Sequence, residues 1–120
     1  MSESLKFLFE NVLNHIQKIE TWFSRIKSED EFVNNQDGEV FLNAISLRLQ
    51  ALGENLKKIQ KKDPDLLKKY SEIKWDEIIR FRDLISHHYE LLDYQIIYRI
   101  CQTDIPFLKS IIEKILKDSI

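Results

Sequence analysis

Glycine, proline and cysteine are scarce in this 120-residue chain, which contains two, two and one of them respectively. Because β-rich chains need many tight turns, so few turn-forming residues favour a helical protein. The single cysteine, Cys101, excludes an intrachain disulfide and a metal site built from several cysteines. No stretch of about 18 uncharged apolar residues occurs, so no membrane span and no membrane partner are expected.

The chain also lacks a large excess of either charge, since it contains 18 Lys and Arg residues and 20 Asp and Glu residues. The chain therefore lacks the positive field of a non-specific nucleic-acid binder, and any RNA must bind at a local site. The first ten residues include Glu3 and Glu10 and show no basic start followed by an apolar run. We therefore expect no secretion signal and a cytoplasmic location.

Apolar residues recur every three or four positions along most of the chain, which is the pattern of amphipathic helices. The spacing predicts helices over 5–26, 39–60, 75–92 and 94–117, with a loop at 28–38 that has room for a helical turn at 31–33. Asp63 before Pro64 predicts a short capped helix, and Asp93 is the predicted N-cap of the last long helix. Gly53 inside the second helix indicates either a close helix crossing or a tolerated glycine.

Pro106 interrupts the pattern of the last helix. A proline inside a helix removes a hydrogen bond, so we predict a kink or break near residue 103, with Thr103 or Asp104 capping the second half. No internal repeat or domain boundary is visible. The sequence therefore predicts an all-α fold, a single antiparallel bundle of four to five helices that forms one domain over residues 1–120.

Arg82 lies inside the apolar stripe of the helix predicted over 75–92, because about 100° of rotation per residue places it on one face with several large apolar side chains. Those side chains are Trp75, Ile78, Ile79, Ile85 and Tyr89. A guanidinium among apolar groups is costly unless it pairs with a carboxylate or a phosphate. Two interpretations stay open, a phosphate-binding Arg82 and a structural salt bridge, for example to Glu54 or Asp83.

His87 follows Arg82 by five residues on the same predicted helix. Histidine titrates near neutral pH and is the usual proton carrier when phosphodiesters are cleaved without a metal. Asp83 lies one turn before His87, so its carboxylate can fix the tautomer of the ring. His88, nearer the apolar stripe, is interpreted as a packing residue, and a structural role for His87 remains the alternative.

The ordered string from Arg82 to Tyr89, RDLISHHY, resembles the Arg-x4-His-x-Tyr motif of the HepT-like branch of the HEPN proteins. The resemblance extends over about residues 40–116, since Leu52-Gly53-Glu54 is similar to the family's Gly-Glu element and 104–108 to its closing helix. The residues before the motif, from Ile73 to Ile79, also look like the family's lead-in. Two positions depart from the pattern, Asp83 where asparagine is common and Asn55 where a small residue is usual.

The resemblance implies a HEPN-like bundle and a specific activity. Proteins of this kind are metal-independent endoribonuclease toxins that cut RNA through attack of the ribose 2′-hydroxyl, act as homodimers and need no cofactor. It implies that His87 transfers protons and that Arg82 stabilises charge on the phosphorus, while the supporting role of Asp83 rests on its spacing to His87 alone. It also implies a type VII-like toxin–antitoxin pair, in which a minimal-type nucleotidyltransferase (MNT) antitoxin attaches AMP to Tyr89 and blocks the phosphate site beside Arg82.

Three further points follow from the sequence. Positions 82 and 87 lie roughly 140° apart on a straight helix, which favours a site completed by a second copy. The charge run of Lys57, Lys58, Lys61 and Lys62 is either a solvated helix face or a surface that guides RNA. The alternative function is a non-catalytic helical adaptor or nucleotide-binding partner of a nucleotidyltransferase, and a purely structural bundle is a third reading.

Overall fold

The computed structural model describes residues 1–87 and 93–119, with the backbone alone at 84, 86 and 87. Over these residues the chain is helical and contains no strand, so the predicted all-α bundle is confirmed. Its helices are α1 (Glu3–Phe23), α2 (Glu31–Asn34), α3 (Gln36–Lys62), α4 (Pro64–Lys68), α5 (Trp75–His87), α6 (Tyr94–Arg99) and α7 (Ile105–Asp118). None of these helices is both long enough and apolar enough to cross a bilayer.

The long helix α3 is the scaffold of the bundle, because it packs against α1 on one side and α5 on another. Its apolar stripe and that of α1 are fully buried in one core, to which α7 contributes a third stripe. Representative core side chains with no exposed surface are Phe9, Ile16, Ile45, Leu49 and Ile112. Each such side chain stabilises the fold by about 1.5–3 kcal/mol relative to an exposed position. This core fixes α3 as a rigid support for the residues on its two flanks.

The predicted loop over 28–38 is correct in the helical turn that it allowed and wrong in where the loop ends. The allowed helical turn is present as α2, and α3 begins at Gln36 rather than at residue 39. Asn35 is the reason, because its side-chain oxygen accepts a hydrogen bond from the Gly38 N–H at 2.7 Å and so caps the helix. An added Cβ at Gly38 would lie 1.6 Å from the Glu31 carbonyl oxygen, so only glycine lets α2 pass the first turn of α3.

The predicted interruption before Pro106 takes the form of a π-helical turn, Ile100–Asp104, between α6 and α7. Here the Ile105 N–H donates to the Ile100 carbonyl, five residues back. The wider turn accommodates a proline that lacks an N–H and whose ring would otherwise clash with the preceding turn. The predicted cap by Thr103 or Asp104 is wrong, because Asp104 has a helical backbone and makes no side-chain capping bond.

The other predicted caps are confirmed. Asp63 accepts from the Leu66 N–H at 3.2 Å at the start of α4, and Asp93 accepts from the first N–H groups of α6. The first helix ends at Phe23, before Ile26, which is nevertheless buried. The predicted end of the fourth helix, over 88–92, lies outside the described residues.

Candidate active site

The helices α3 and α5 cross closely at Gly53. A Cβ added there would lie 3.0 Å from Arg82 Cβ and 3.4 Å from the Ile79 carbonyl oxygen, so the close-crossing interpretation of this glycine is confirmed. Farther along the same pair of helices, Gln60 Nε2 donates to Asp76 Oδ1 at 3.1 Å. Residue numbers rise along α3 as they fall along α5, so the two helices are antiparallel and Arg82 is held against α3.

Arg82 forms ion pairs with two carboxylates. Its Nη1 donates to Glu54 Oε1 at 2.5 Å, and its Nε lies 3.2 Å from Asp83 Oδ1. Only 21% of the Arg82 side chain is exposed, whereas Glu54 and Asp83 are about half exposed. Of the apolar side chains that share its face, Trp75, Ile78, Ile79 and Ile85 are buried, whereas Arg82 is partly exposed. Arg82 therefore lies at the edge of that stripe, where a guanidinium can reach both its partners and solvent.

The Nε atom of Arg82 is less well satisfied than the ion-pair distance suggests. It is buried and makes no hydrogen bond within the described residues, because Asp83 Oδ1 is near it but off the N–H direction. A hydrogen bond weakens steeply when it is misaligned, so the short distance to Asp83 does not satisfy this N–H group. Asp83 thus neutralises charge without fully satisfying the donor.

The local charge of this cluster is negative, because one guanidinium faces the carboxylates of Glu54 and Asp83. An incoming phosphate therefore meets an arginine that is already paired, and it must compete with carboxylates that can turn towards water. The fork of Arg82 suits phosphate oxygens as well as it suits carboxylate oxygens. Chemically, the crossing positions one cation at which a phosphate oxygen can replace a carboxylate oxygen.

The helix α5 extends through His87, so the backbone has the predicted one-turn spacing between Asp83 and His87. The side chain of His87, and with it the predicted bond from Asp83, is outside the described part of the chain. His88 and Tyr89 also fall outside the described residues. The structure thus brings Arg82 and Asp83 together and leaves the roles of His87 and Tyr89 as predictions.

Glu54 was foreseen only as one candidate partner of Arg82. Its signal in the sequence is its place directly after Gly53, because a glycine that admits a second helix brings the next side chain to the rim of the crossing. The expected lysines, Lys57, Lys58, Lys61 and Lys62, are all exposed near the end of α3 and form no ion pair with another described residue. Among the residues that the structure describes, no three His, Cys, Asp or Glu side chains are grouped as a metal site requires.

A family model described as ribonuclease HepT-like matches residues 12–115, which include the α3–α5 crossing and the whole Arg82–Tyr89 motif. The chain belongs to the HepT-like ribonuclease family. The predicted family is therefore confirmed, and the match extends into α1 and α7 of this HepT-like bundle.

Relatives of this HepT-like chain are similar over nearly their whole length. A Methanocaldococcus jannaschii protein named "Putative RNase MJ0125" is 31% identical over 95% of this chain and 92% of its own length. A Thermococcus cleftensis protein named "Probable ribonuclease HepT" is 30% identical over 98% of this chain and all of its own length. A third, from Caldanaerobacter subterraneus and named "Putative RNase TTE0752", is 32% identical over 88% of this chain and 91% of its own length. No solved structure matches the chain.

Proposed function

We propose that this HepT-like chain is a metal-independent endoribonuclease and the toxin of a type VII-like HEPN/MNT pair. The observation that supports it most is the position of Arg82, which the Gly53 crossing holds at the partly exposed edge of the apolar stripe, five residues before His87 on the same helix. In RNA transesterification an arginine can stabilise the charge that develops on phosphorus, and a histidine can carry the proton. The names of the relatives agree with that reaction class.

In the proposed reaction the ribose 2′-oxygen attacks the adjacent phosphorus and the bond from phosphorus to the 5′-oxygen breaks. The products are a 2′,3′-cyclic phosphate and a free 5′-hydroxyl, so atoms balance without a co-reactant. His87 carries the proton between these oxygens, and Asp83 supports its ring while Arg82 stabilises the charge on phosphorus. The lysines 57, 58, 61 and 62 add positive charge along α3 for the RNA backbone.

The nuclease is proposed to act as a homodimer, because one straight helix turns Arg82 and His87 roughly 140° apart. If each site takes its arginine from one copy and its histidine from the other, mixing Arg82→Lys with His87→Ala protein restores one intact site per heterodimer. Activity that returns on mixing two inactive proteins supports the shared site. Monomeric protein in light-scattering measurements that still cleaves RNA contradicts it.

The decisive test of the activity is RNA cleavage by the purified protein in excess EDTA. We expect fragments that end in a 2′,3′-cyclic phosphate, no cleavage of matched 2′-O-methyl RNA, and no cleavage by His87→Ala protein with an unchanged circular-dichroism spectrum. Equal activity in the wild type and the His87→Ala protein indicates a contaminating nuclease and contradicts the proposal.

Regulation is proposed to occur at Tyr89 through a minimal-type nucleotidyltransferase antitoxin. Seven residues separate Tyr89 from Arg82, so a helix that continues past His87 places an adenylyl phosphate near the guanidinium. Incubation with the partner and ATP should add adenylyl mass to the peptide containing Tyr89, and Tyr89→Phe should prevent both modification and silencing. Modification confined to Tyr94 or Tyr98 contradicts this assignment.

A non-catalytic adaptor for the nucleotidyltransferase is the second candidate function. It is favoured by one observation, the pairing of Arg82 with Glu54 and Asp83, which is also what a structural salt bridge looks like. The EDTA experiment separates the two candidates, because an adaptor binds its partner with undiminished affinity and leaves RNA intact.

A further inference from the structure

A second half-buried arginine lies on the opposite flank of α3, where that helix packs against α1. Arg48 Nη1 is 3.1 Å from His15 Nδ1, and the Arg48 guanidinium carbon lies 5.7 Å from the centre of the Trp22 ring. All three side chains are partly exposed. We call Arg48, His15 and Trp22 the α1–α3 cluster.

The protonation state of His15 follows from its partner. Arginine can only donate hydrogen bonds, so His15 Nδ1 must accept and the ring proton must be on Nε2. Burial, and then the positive charge of Arg48, lower the pKa of His15 below its usual value of 6.5. At neutral pH the cluster therefore contains one cation, one neutral imidazole and one indole, and it presents only donors to an incoming group.

Arg48 has no counter-charge among the residues that the structure describes. No carboxylate of a described residue pairs with it, whereas Arg82 has two and Lys109, another partly buried cation, has Glu20 at 3.0 Å. The positions one helical turn before and after His15 and Arg48 contain no acidic residue; they are Asn11, Val12, Lys18, Ile19, Ala44, Ile45, Ala51 and Leu52. A partly desolvated guanidinium without an anion is unfavourable, so this cluster is suited to an anion from outside.

We propose that the α1–α3 cluster is a second phosphate-binding site, at which Arg48 holds a backbone phosphate of single-stranded RNA. His15 and Trp22 preorganise the guanidinium from two directions and leave its other N–H groups without a partner among the described residues. An arginine beside an aromatic ring is a combination that binds single-stranded RNA, because one group contacts phosphate and the other stacks with a base.

The cluster and the candidate active site border the same exposed face of α3, one on each flank. Arg48 and Glu54 are six residues apart, which places them about 120° apart around the helix and roughly 9 Å along it. The exposed face of α3 lies between them. One strand bound at Arg82 can therefore also reach Arg48, so this inference rests on the proposed function and gives the nuclease a contact outside the reacting phosphate.

RNA binding tests the cluster without any cleavage. In a His87→Ala background, Arg48→Gln should weaken the binding of a labelled single-stranded RNA roughly 5- to 10-fold and reduce the slope of log K against log salt by about 0.7. Arg99→Gln is the matched control, because it removes one exposed arginine from α6, and it should change neither quantity. Undiminished binding or an unchanged salt slope in Arg48→Gln overturns the proposal.

Two more readouts keep the outcome interpretable. RNA should change the fluorescence emission of Trp22, which is the part of the signal that Trp22→Phe removes. If RNA leaves this emission unchanged, the site is contradicted even if Arg48→Gln folds poorly. In the cleaving protein, Arg48→Gln should raise KM with kcat unchanged. If the wild type binds RNA through Arg48 but cleaves none, the nuclease proposal fails and this site stands. If the wild type cleaves and Arg48→Gln binds normally, only this site fails.

Discussion

The two flanks of α3 hold one half-buried arginine each, and they treat its charge in opposite ways. On the α5 side, Arg82 is paired with Glu54 and Asp83 and is held at a crossing that Gly53 makes close. On the α1 side, Arg48 contacts a neutral histidine and a tryptophan, and it contacts no carboxylate within the described ranges 1–87 and 93–119. The helix, the core and the type of side chain are the same, so the difference lies in the partners.

This difference separates two tasks that a phosphate-handling protein has. A paired guanidinium has a fixed position and exchanges its partner only when a competing anion arrives, which suits a reacting centre that must be aligned before substrate binds. An unpaired one attracts phosphate at all times, which suits binding of the chain on either side of the reacting bond. The predictions below test whether Arg82 and Arg48 divide the work in this way.

The largest effect is expected from replacing each arginine with lysine. Arg82→Lys should reduce kcat for RNA cleavage by about 100-fold or more, since lysine keeps the charge but loses the planar fork at the reacting phosphate. Arg48→Lys should alter KM by only a few-fold, because a binding phosphate tolerates a point charge. Steady-state cleavage of one labelled RNA measures both. A loss of kcat of similar size in the two variants would contradict the proposal that Arg82 acts at the reacting phosphate and Arg48 in binding.

The second effect concerns the closeness of the α3–α5 crossing. Gly53→Ala would ordinarily stabilise a helix by about 1 kcal/mol, but here its Cβ meets Arg82 Cβ at 3.0 Å, so α5 must move. We expect a loss of about 1 kcal/mol in the free energy of unfolding, measured with urea, together with slower cleavage.

Ala51→Gly on the same helix is the matched control for this prediction. It should destabilise by about 1 kcal/mol through helix propensity alone and leave the rate constant unchanged. If Gly53→Ala instead stabilises the protein, the crossing is not tight enough to need glycine, and the account of how Arg82 is positioned is wrong.

Sequence periodicity predicted the long helices, and local capping chemistry predicted Asp63 and Asp93, because both depend on neighbours within one turn. The loop over 28–38 was misjudged because Asn35 is as good a helix cap as it is a turn residue. The form of the break at Pro106 could not be predicted either. A π-helical turn and a capped break both accommodate a proline that lacks a backbone N–H.

The candidate site divides along the same line. Helical spacing predicted Arg82 inside the apolar stripe, and the structure places it at the edge of that stripe. Glu54 follows once Gly53 is understood as a crossing point. The α1–α3 cluster has no such signal, because His15 and Arg48 are 33 positions apart and meet only when two helices pack. Pairings set by tertiary packing are invisible to spacing rules, which is why that cluster emerged from the structure.

A smaller effect is expected from replacing Asp83, because Arg82 then has fewer carboxylate partners and its surroundings become more like those of Arg48. Asp83→Asn removes one of the two carboxylates around Arg82 and keeps a side chain of the same shape. RNA should then bind several-fold more tightly, with a lower KM, because the phosphate competes with one negative charge fewer. A matched Asp65→Asn change, at an exposed pair with Lys68 on α4, should leave KM unchanged. A fall in kcat alone would indicate that Asp83 acts mainly on His87.

The smallest effect is a pH dependence that belongs to the α1 side alone. Burial and Arg48 lower the pKa of His15 in the folded protein, so the unfolded chain takes up a proton at a higher pH than the folded one. The stability that neutral His15 supplies is therefore fully present above about pH 6.5 and is lost as the pH falls through the lowered value. Protonation puts a second donor against Arg48 Nη1 and a second positive charge beside it, with Lys18 on the same face of α1.

His15→Gln has no such titration, so the difference in unfolding free energy between the wild type and His15→Gln, measured with urea, should shrink between pH 7 and pH 5. A difference that stays constant over that range would show that His15 does not have the neutral, accepting form on which the α1–α3 cluster depends.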